Sequence, residues 1–269
     1  MDNFRSKHFS LRHMLVAAVS QRIFGNYTYT VRHGLAAGLR RKGGLGFVPF
    51  GPAETEETRF LRRWPVEGKV VYDIGAFEGV LTLFFARKAA QVIAYEPNPR
   101  NFQRCMENVK LNGFRNVRVM NRGVGEQPGA IELTYDPLMP GAGSADAATT
   151  AQIASSVRSA KTVRIEVVPL DEDIRRHGLP APDFIKMDIE GMERFALPGM
   201  KETLAKYRPE LFIEMHGATV EEKVEIAHSV VGFLESAGYG VHDIESGRDL
   251  RVATMGEMRP GHIHCRPRP

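Results

Sequence analysis

The sequence predicts an α/β fold with a largely parallel sheet, because short apolar runs alternate with stretches of helical spacing along most of the chain. The clearest unit is residues 70–79, where a β-branched run enters Gly75 and Gly79 before helical spacing begins. Such sheets bind ligands outside the carboxyl ends of their strands. Seven polar residues fall at predicted strand ends: Asp73, Glu96, Asn121, Asp188, Glu190, Glu214 and His216.

Composition favours one large domain over residues 51–269, since 43% of the 269 residues are hydrophobic and 25% are charged. Cys105 and Cys265 are the only cysteines, which argues against a disulfide framework or a thiol metal cluster and favours a reducing compartment. No apolar run approaches the length of a membrane span, so a cytoplasmic location is expected.

Residues 1–50 form a basic arm, predicted to contain one or two short amphipathic helices. Before Glu54 the chain has one acidic residue, Asp2, although the whole chain carries a net charge of only +4. Either the arm makes peripheral contact with a membrane surface, nucleic acid or an acidic substrate, or it is a solvated helical lid, which is the favoured interpretation. Its basic side chains are Arg5, Lys7, Arg12, Arg22, Arg32, Arg40, Arg41 and Lys42.

The remaining pattern places helices and strands in alternation. Residues 137–160, rich in Gly, Ala, Ser and Thr, are predicted to be a flexible insertion in a hairpin, serving as a lid or as a passive loop. Helices are predicted near residues 55–64, 80–90, 99–111, 192–207 and 220–236. The helix over 192–207 is expected to be kinked or divided at Pro198 and Gly199. Strands are predicted near residues 91–95, 117–120, 131–135, 163–168, 184–187, 209–216, 239–244 and 262–265.

Glu96 points to a ligand that contains adenosine. It ends the second strand about 20 residues beyond the glycine turn, where an acidic group hydrogen-bonds a ribose diol. Asp73 and Glu78 crowd the turn with carboxylates that would repel a pyrophosphate, and the fingerprint G-x-G-x-x-G is absent. S-adenosylmethionine, which has a ribose and a cationic end, satisfies both conditions.

In this hypothesis the ammonium group of the cofactor lies near Asp73, and Gly75 lets the backbone approach the ligand closely. Asn121 would meet the adenine ring, although a loop asparagine is more often a turn former. The alternative is a plain strand-to-helix turn. The second strand ending in Glu96 favours the cofactor site.

Five motifs of this sequence resemble the FkbM-type methyltransferases, over roughly residues 50–245. They are Asp-Ile-Gly-Ala at 73–76, Tyr-Glu-Pro-Asn-Pro at 95–99, the helix end at 108–113, Lys-Met-Asp-Ile-Glu-Gly-Met-Glu at 186–193 and Ile-Glu-Met-His-Gly at 213–217. The family turn commonly continues Ala-Asn-x-Gly, where this chain has Ala76, Phe77, Glu78 and Gly79.

The resemblance implies a Rossmann-like class I methyltransferase fold, with a mostly parallel seven-stranded sheet and helices on both faces. It also implies O-methylation of a hydroxyl on a small molecule, sugar or natural product. The implied cofactor-binding set is Asp73, Gly75, Ala76, Gly79, Glu96, Pro97, Asn121 and Asp188.

The catalytic group is predicted to comprise His216, Asp188 and Glu214. An unperturbed pKa of about 6.5 would leave His216 largely neutral at pH 7 and able to act as the base. Its alternative role is a hydrogen bond to a loop. Asp188, Glu190 and Glu214, with Glu193, could instead gather a hard divalent cation, or cap the helix near residue 192, which is favoured for Glu193.

Two other classes of protein compete with this hypothesis. A nucleic-acid methyltransferase would use the basic arm, but the chain lacks the Asn/Asp-Pro-Pro-Tyr/Phe type of motif that grips a flipped base. A cofactor-binding scaffold at a membrane surface would retain the fold without turnover.

Lys186 alternates with Asp188 and could pair with it structurally, so no chemical role is assigned to it.

Overall fold

The computed structural model describes residues 25–43, 54–136, 139–144, 160–217 and 219–269. Its strands are β1 (Thr28–Thr30), β2 (Arg40–Lys42), β3 (Val70–Ile74), β4 (Gln91–Tyr95), β5 (Val117–Met120), β6 (Gly123–Val124), β7 (Gly129–Asp136), β8 (Met139–Ser144), β9 (Lys161–Val168), β10 (Phe184–Met187), β11 (Glu210–Glu214), β12 (Tyr239–Asp243), β13 (Arg248–Leu250) and β14 (His262–Pro267). Its helices are α1 (Glu56–Arg63), α2 (Val80–Ala86), α3 (Pro99–Leu111), α4 (Leu170–His177), α5 (Glu193–Ala196), α6 (Lys201–Tyr207), α7 (Val220–Ser236) and α8 (Val252–Met255).

The central sheet has the order β13-β12-β14-β11-β10-β3-β4-β5. The run from β11 to β5 is parallel, and β12, β13 and β14 are antiparallel additions at one side. The α/β fold class is therefore confirmed. The sheet has eight strands where seven were predicted, because the short strand β13 pairs with the edge of β12.

Apolar side chains alternate between the two faces of the sheet, as the period of a strand requires. Val71 packs on one face in a cluster with Trp64 of the segment after α1 and Phe85 of α2. Tyr72 packs on the other face in a cluster that includes Val230 of α7. Helices therefore cover both faces, as predicted.

Most predicted helices begin and end close to the expected residues. Thr55 caps α1 by accepting a hydrogen bond from the Thr58 N–H at 3.1 Å. A 3₁₀ turn, Leu197–Met200, separates α5 from α6 at the predicted break. Helix α4 was not predicted, although acidic residues in its first turn, basic residues in its last turn and Gly178 beyond it (φ 56°) are strong helix signals.

The described part of the basic arm is a β-hairpin, so the helical prediction is wrong for residues 25–43. The hairpin packs against the large domain: the backbone N–H of Lys42 donates to Asn108 Oδ1 at 2.8 Å, and Arg41 forms an ion pair with Glu78 at 3.0 Å. Arg41 is buried, so its charge is bound within the protein and is not exposed for a membrane or nucleic acid. The rest of the arm lies outside the described residues.

A second sheet, β6-β9-β7-β8, extends from the domain. The predicted hairpin is confirmed as the antiparallel pair β7–β9, with Leu133 opposite Val163. Strand β8 lies within the predicted flexible insertion and also pairs with β7. The rest of that insertion, residues 137–138 and 145–159, lies outside the described residues. None of the helices in the described parts of the chain is long and apolar enough to cross a membrane.

Candidate active site

A cavity of about 310 Å³ lies at the carboxyl ends of β3, β4 and β10. Its floor contains Gly75 and Glu96, and the second sheet contributes an apolar wall. Because three of the polar residues predicted at strand ends, Glu96, Asp188 and Glu190, line it, this cavity is the candidate active site. The apolar wall consists of Ile131, Leu133, Ile165 and Val167. A larger groove of about 680 Å³, lined by α1, β12 and β14, lies away from these strand ends.

The glycine turn is held by contacts within the protein. Gly75 lines the cavity with φ 83°, and a Cβ there would lie 1.7 Å from the backbone oxygen of Asp188. The sequence argument gave the ligand as the reason for this glycine, whereas the structure shows that the neighbouring strand end requires it. Ala76 donates its N–H to the Tyr95 oxygen, and Gly79 (φ 87°) packs against Cys105, so neither lines the cavity.

Asp73 does not line the cavity either, so its contact with the cofactor stays a prediction. It is fully buried and accepts a hydrogen bond from the Thr82 hydroxyl at 2.5 Å. Its other oxygen, Oδ1, lies 3.6 Å from Lys186 Nζ. Lys186 also donates to the Gly75 oxygen at 3.2 Å and to Asp188 Oδ2 at 3.4 Å, so the predicted pairing of Lys186 with Asp188 is confirmed. Asp73 thus stabilises the turn from below.

Glu96 presents its carboxylate to the cavity in a cradle of N–H donors. Oε2 accepts from the backbone of Phe77 at 2.7 Å, and Oε1 accepts from the backbone of Asn98 at 2.9 Å and from Asn101 Nδ2 at 3.4 Å. Burial raises the pKa of Glu96 to about 7, although these hydrogen bonds oppose the rise. Phe77 adopts a positive φ of 51°, unusual for a residue with a side chain, and lines the cavity.

Pro97 lines the cavity, as predicted, but Asn121 does not. The Asn121 side-chain amide donates to the backbone oxygens of Glu96 at 2.9 Å and Pro97 at 3.1 Å. Asn121 therefore fixes the loop after β4, and its contact with adenine stays a prediction.

The charge of the cavity distinguishes between adenosine ligands. Four acidic residues line it, Glu96, Glu126, Asp188 and Glu190, and its cation, Arg122, donates to the buried carboxylate of Asp173 at 2.8 Å. A pyrophosphate would meet these carboxylates without a free cation among the lining residues, whereas a ribose and a sulfonium or ammonium group would be stabilised. The residues present fit S-adenosylmethionine.

Five side chains form an acid–histidine cluster at the ends of β10 and β11: Asp188, Glu190, Glu193, Glu214 and His216. Nε2 of His216 lies 3.4 Å from Glu214 Oε1 and 3.8 Å from both Asp188 Oδ1 and Glu190 Oε2. Nδ1 of His216 lies 3.4 Å from Glu193 Oε1. Asp188 and Glu190 also line the cavity, so the structure brings the predicted catalytic residues together at its edge.

The cluster changes the protonation expected for His216. Burial alone would lower its pKa, but hydrogen bonds to Glu193 and Glu214 and the charges of Glu190 and Asp188 raise it to about 11. Burial raises the pKa of Asp188 and also raises that of Glu190, to about 7. Burial opposes ionisation of Glu214 too, yet His216 and His262 hold its pKa at about 2. The four carboxylates therefore favour the protonated form of His216, in contrast to the free imidazole assumed from the sequence.

Glu193 is completely buried at the start of α5. Its Oε1 accepts from the backbone N–H groups of Gly191 at 3.2 Å and Ile189 at 3.4 Å, both in the loop before α5. Within the described part of the chain no side chain caps the first turn of α5 through a hydrogen bond, so Glu193 fixes this loop and does not act as the predicted helix cap. The other oxygen, Oε2, is buried and accepts no hydrogen bond from the described residues.

Sequence reasoning missed several residues of the site. Phe77, Asn101 and the apolar wall of the second sheet all contribute to the cavity or to Glu96. The alternation Ile131, Leu133 and Ile165, Val167 was visible as a buried strand face, but the pattern did not say what it faced.

The mostly parallel central sheet with helices on both faces is the fold of the class I methyltransferases. A family model described as the methyltransferase FkbM domain matches residues 73–241. The chain belongs to this family.

Curated relatives include the 2-O-methyltransferase NoeI of Sinorhizobium fredii, 29% identical over 52% of this chain and 60% of that protein. The hexuronic acid methyltransferase AglP of Haloferax volcanii is 27% identical over 56% of this chain and 58% of that protein. The chain thus spans about three fifths of the length of these relatives. A solved structure of methyltransferase FkbM from Methylobacillus flagellatus is 22% identical, with a TM-score of 0.46, over 76% of this chain and 44% of that one.

Proposed function

We propose that the protein transfers a methyl group from S-adenosylmethionine to a hydroxyl oxygen of a small polyhydroxylated molecule, such as a sugar or natural product. The observation that carries the proposal is one cavity that extends from the carboxylate of Glu96 to Asp188 and Glu190. Relatives named for 2-O-methylation and for hexuronic acid support a sugar-like acceptor.

The residues divide into two roles. A carboxylate has about four acceptor positions, and the three N–H contacts of Glu96 leave capacity for a ribose hydroxyl. When bound, the cofactor supplies a methyl group that the acceptor oxygen takes as the carbon–sulfur bond breaks, and the hydroxyl proton is lost to a base. Asp188 belongs to both the cavity wall and the acid–histidine cluster, so we place the acceptor hydroxyl at this carboxylate.

The same charges argue against a nucleic-acid acceptor. A polyanion is bound mainly through Lys and Arg contacts to its phosphates. Here the cavity is lined by carboxylates, and Arg122 is engaged by Asp173. Salt-sensitive RNA binding at this cavity would contradict the choice of acceptor.

Calorimetry with the full chain tests the cofactor. We expect binding of S-adenosylmethionine and its demethylated product, and weaker or absent binding of NAD. Glu96→Ala should weaken cofactor binding by roughly 10- to 150-fold, the loss of about 1.5–3 kcal/mol for a hydrogen bond to a charged group. Glu132→Ala is a matched control, because Glu132 is exposed on β7 and does not line the cavity.

Submicromolar binding of NAD with no response to S-adenosylmethionine would overturn the proposal. Equal effects of the Glu96 and Glu132 substitutions would show that Glu96 does not meet the ribose.

A further inference from the structure

The acid–histidine cluster places ligating atoms of three residues from two adjacent strand ends close together. One oxygen of Asp188, one oxygen of Glu214 and one nitrogen of His216 all lie within 4.8 Å of one another. The three residues are half-buried, so they are desolvated in part, and Asp188 also lines the cavity. Two carboxylates and one imidazole form a donor set that binds divalent cations.

Each of these residues is also held by an outer partner on its far side. Asp188 uses Oδ2 for Lys186 at 3.4 Å and turns Oδ1 toward His216. Glu214 places Oε2 at 3.8 Å from His262 and turns Oε1 toward His216. Each carboxylate therefore leaves one oxygen facing the centre of the cluster.

His216 shows the same division between its two ring nitrogens. Nδ1 faces the fully buried carboxylate of Glu193 at 3.4 Å, while Nε2 faces the centre. A carboxylate on the far nitrogen is the usual means of orienting a metal-bound histidine. The other oxygen of Glu193, Oε2, is buried without a hydrogen-bond partner among the described residues, so this carboxylate remains available to hold His216 through Nδ1.

We propose that Asp188 Oδ1, Glu214 Oε1 and His216 Nε2 bind one hard divalent cation, such as Mn²⁺ or Mg²⁺. Glu193, Lys186 and His262 orient these ligands. Open coordination positions face the cavity edge, where they take water or a pair of hydroxyl oxygens of the acceptor.

This inference deepens the proposed function and rests on it for the acceptor: a polyol with adjacent hydroxyls would chelate the cation, which increases the acidity of the bound hydroxyl. Under this proposal His216 is a metal ligand, whereas the sequence argument gave it the role of the base. Binding of the cation itself requires neither cofactor nor acceptor.

The test is a titration of the chelator-treated, full-length protein with Mn²⁺ alone, followed by electron paramagnetic resonance of the free ion. We expect one bound Mn²⁺ per chain. Asp188→Asn, Glu214→Gln and His216→Gln should each weaken binding at least tenfold, and the outer substitution Glu193→Gln should weaken it by roughly 10- to 100-fold.

Asp249→Asn provides a matched control. Asp249 lies 2.9 Å from His242 Nδ1, so it forms another carboxylate–histidine pair, but it is exposed and belongs to no such three-residue group among the described residues. Its substitution should leave Mn²⁺ affinity unchanged. Circular dichroism and the melting temperature establish that each variant is folded.

Wild-type protein that binds no Mn²⁺ at millimolar concentration would overturn the inference. Binding that is equally strong in the folded Asp188 and Glu214 variants would overturn it too. If Mn²⁺ binds but S-adenosylmethionine does not, the cation site stands and the proposed methyl transfer fails. The reverse result removes the cation and leaves the methyl transfer intact.

Discussion

At the cofactor end of the cavity the carboxylate of Glu96 is held by neutral N–H donors, whereas at the other end Asp188 and Glu214 face charged side chains. Two of the donors to Glu96 are backbone groups, so their positions are fixed by the fold itself. The partners of Asp188 are the side chains of Lys186 and His216, whose arrangement depends on charge. Under the proposed function, the difference suits the first end to one constant ligand, the cofactor, and the second end to a cation or acceptor whose charge its side chains can answer.

The largest expected effect is on turnover, and it distinguishes the two ends because cofactor affinity should hardly change. His216→Ala should reduce turnover by roughly 10²–10⁴-fold, the usual effect of losing a group that positions or moves a proton, while cofactor affinity changes by less than about twofold. Initial rates with a polyol acceptor and calorimetry with S-adenosylmethionine provide the two measurements. His242→Ala, on the far strand β12, is the control. A parallel fall in cofactor affinity would show that the two ends are not separable.

A second prediction concerns the close approach of Gly75 to the backbone of Asp188, where the two ends of the cavity meet. Gly75→Ala should lower the free energy of unfolding by roughly 3 kcal/mol or more, because its Cβ would lie 1.7 Å from the Asp188 oxygen in addition to the cost of a positive φ. Gly191→Ala also meets a positive φ (95°) but has no heavy atom within 4 Å, so it should lose only about 1–2 kcal/mol. Urea denaturation measures both. Equal losses would mean that the strand end moves aside at no cost.

The smallest effect concerns pH at the cofactor end. Burial raises the pKa of Glu96 to about 7, so in acid the free protein holds a proton that a ribose-bound carboxylate must lose. Cofactor affinity should therefore fall by about tenfold per pH unit below pH 7 and level off above it. In Glu96→Gln this pH dependence should disappear. Titration of the cofactor's own groups affects the wild type and the variant equally, so the difference between the two proteins reports on Glu96. A slope that persists in the variant would assign the titration to another group.

The sequence was sufficient for residues whose role follows from their position at a strand end. Glu96 and Asp188 were placed in the site because the carboxyl ends of parallel strands meet at one edge. The partners of Asp73 within the protein, Thr82 and Lys186, come from other elements and could not be read from its position at a strand end. The same holds for Asn121, whose amide donates to a backbone oxygen of the preceding loop.

Long-range contacts explain the remaining differences. The sequence places Arg41 in a solvated arm, yet the residue is buried and pairs with Glu78, 37 positions away. The pKa of His216 depends on four carboxylates from different segments, so an isolated imidazole value could not predict it. Helix α4 is a different case, since the acidic first turn and basic last turn visible in its sequence are sufficient to predict it.

Strand β14 has a consequence for the nascent chain on the ribosome. It is the last strand to be synthesised among the described elements, yet it lies between β11 and β12 and pairs with both. Until His262–Pro267 has emerged, β11 has an open edge and the β12–β13 hairpin has no place in the central sheet. An open edge can pair with other chains, so this side of the sheet is the one that a chaperone would need to protect during synthesis.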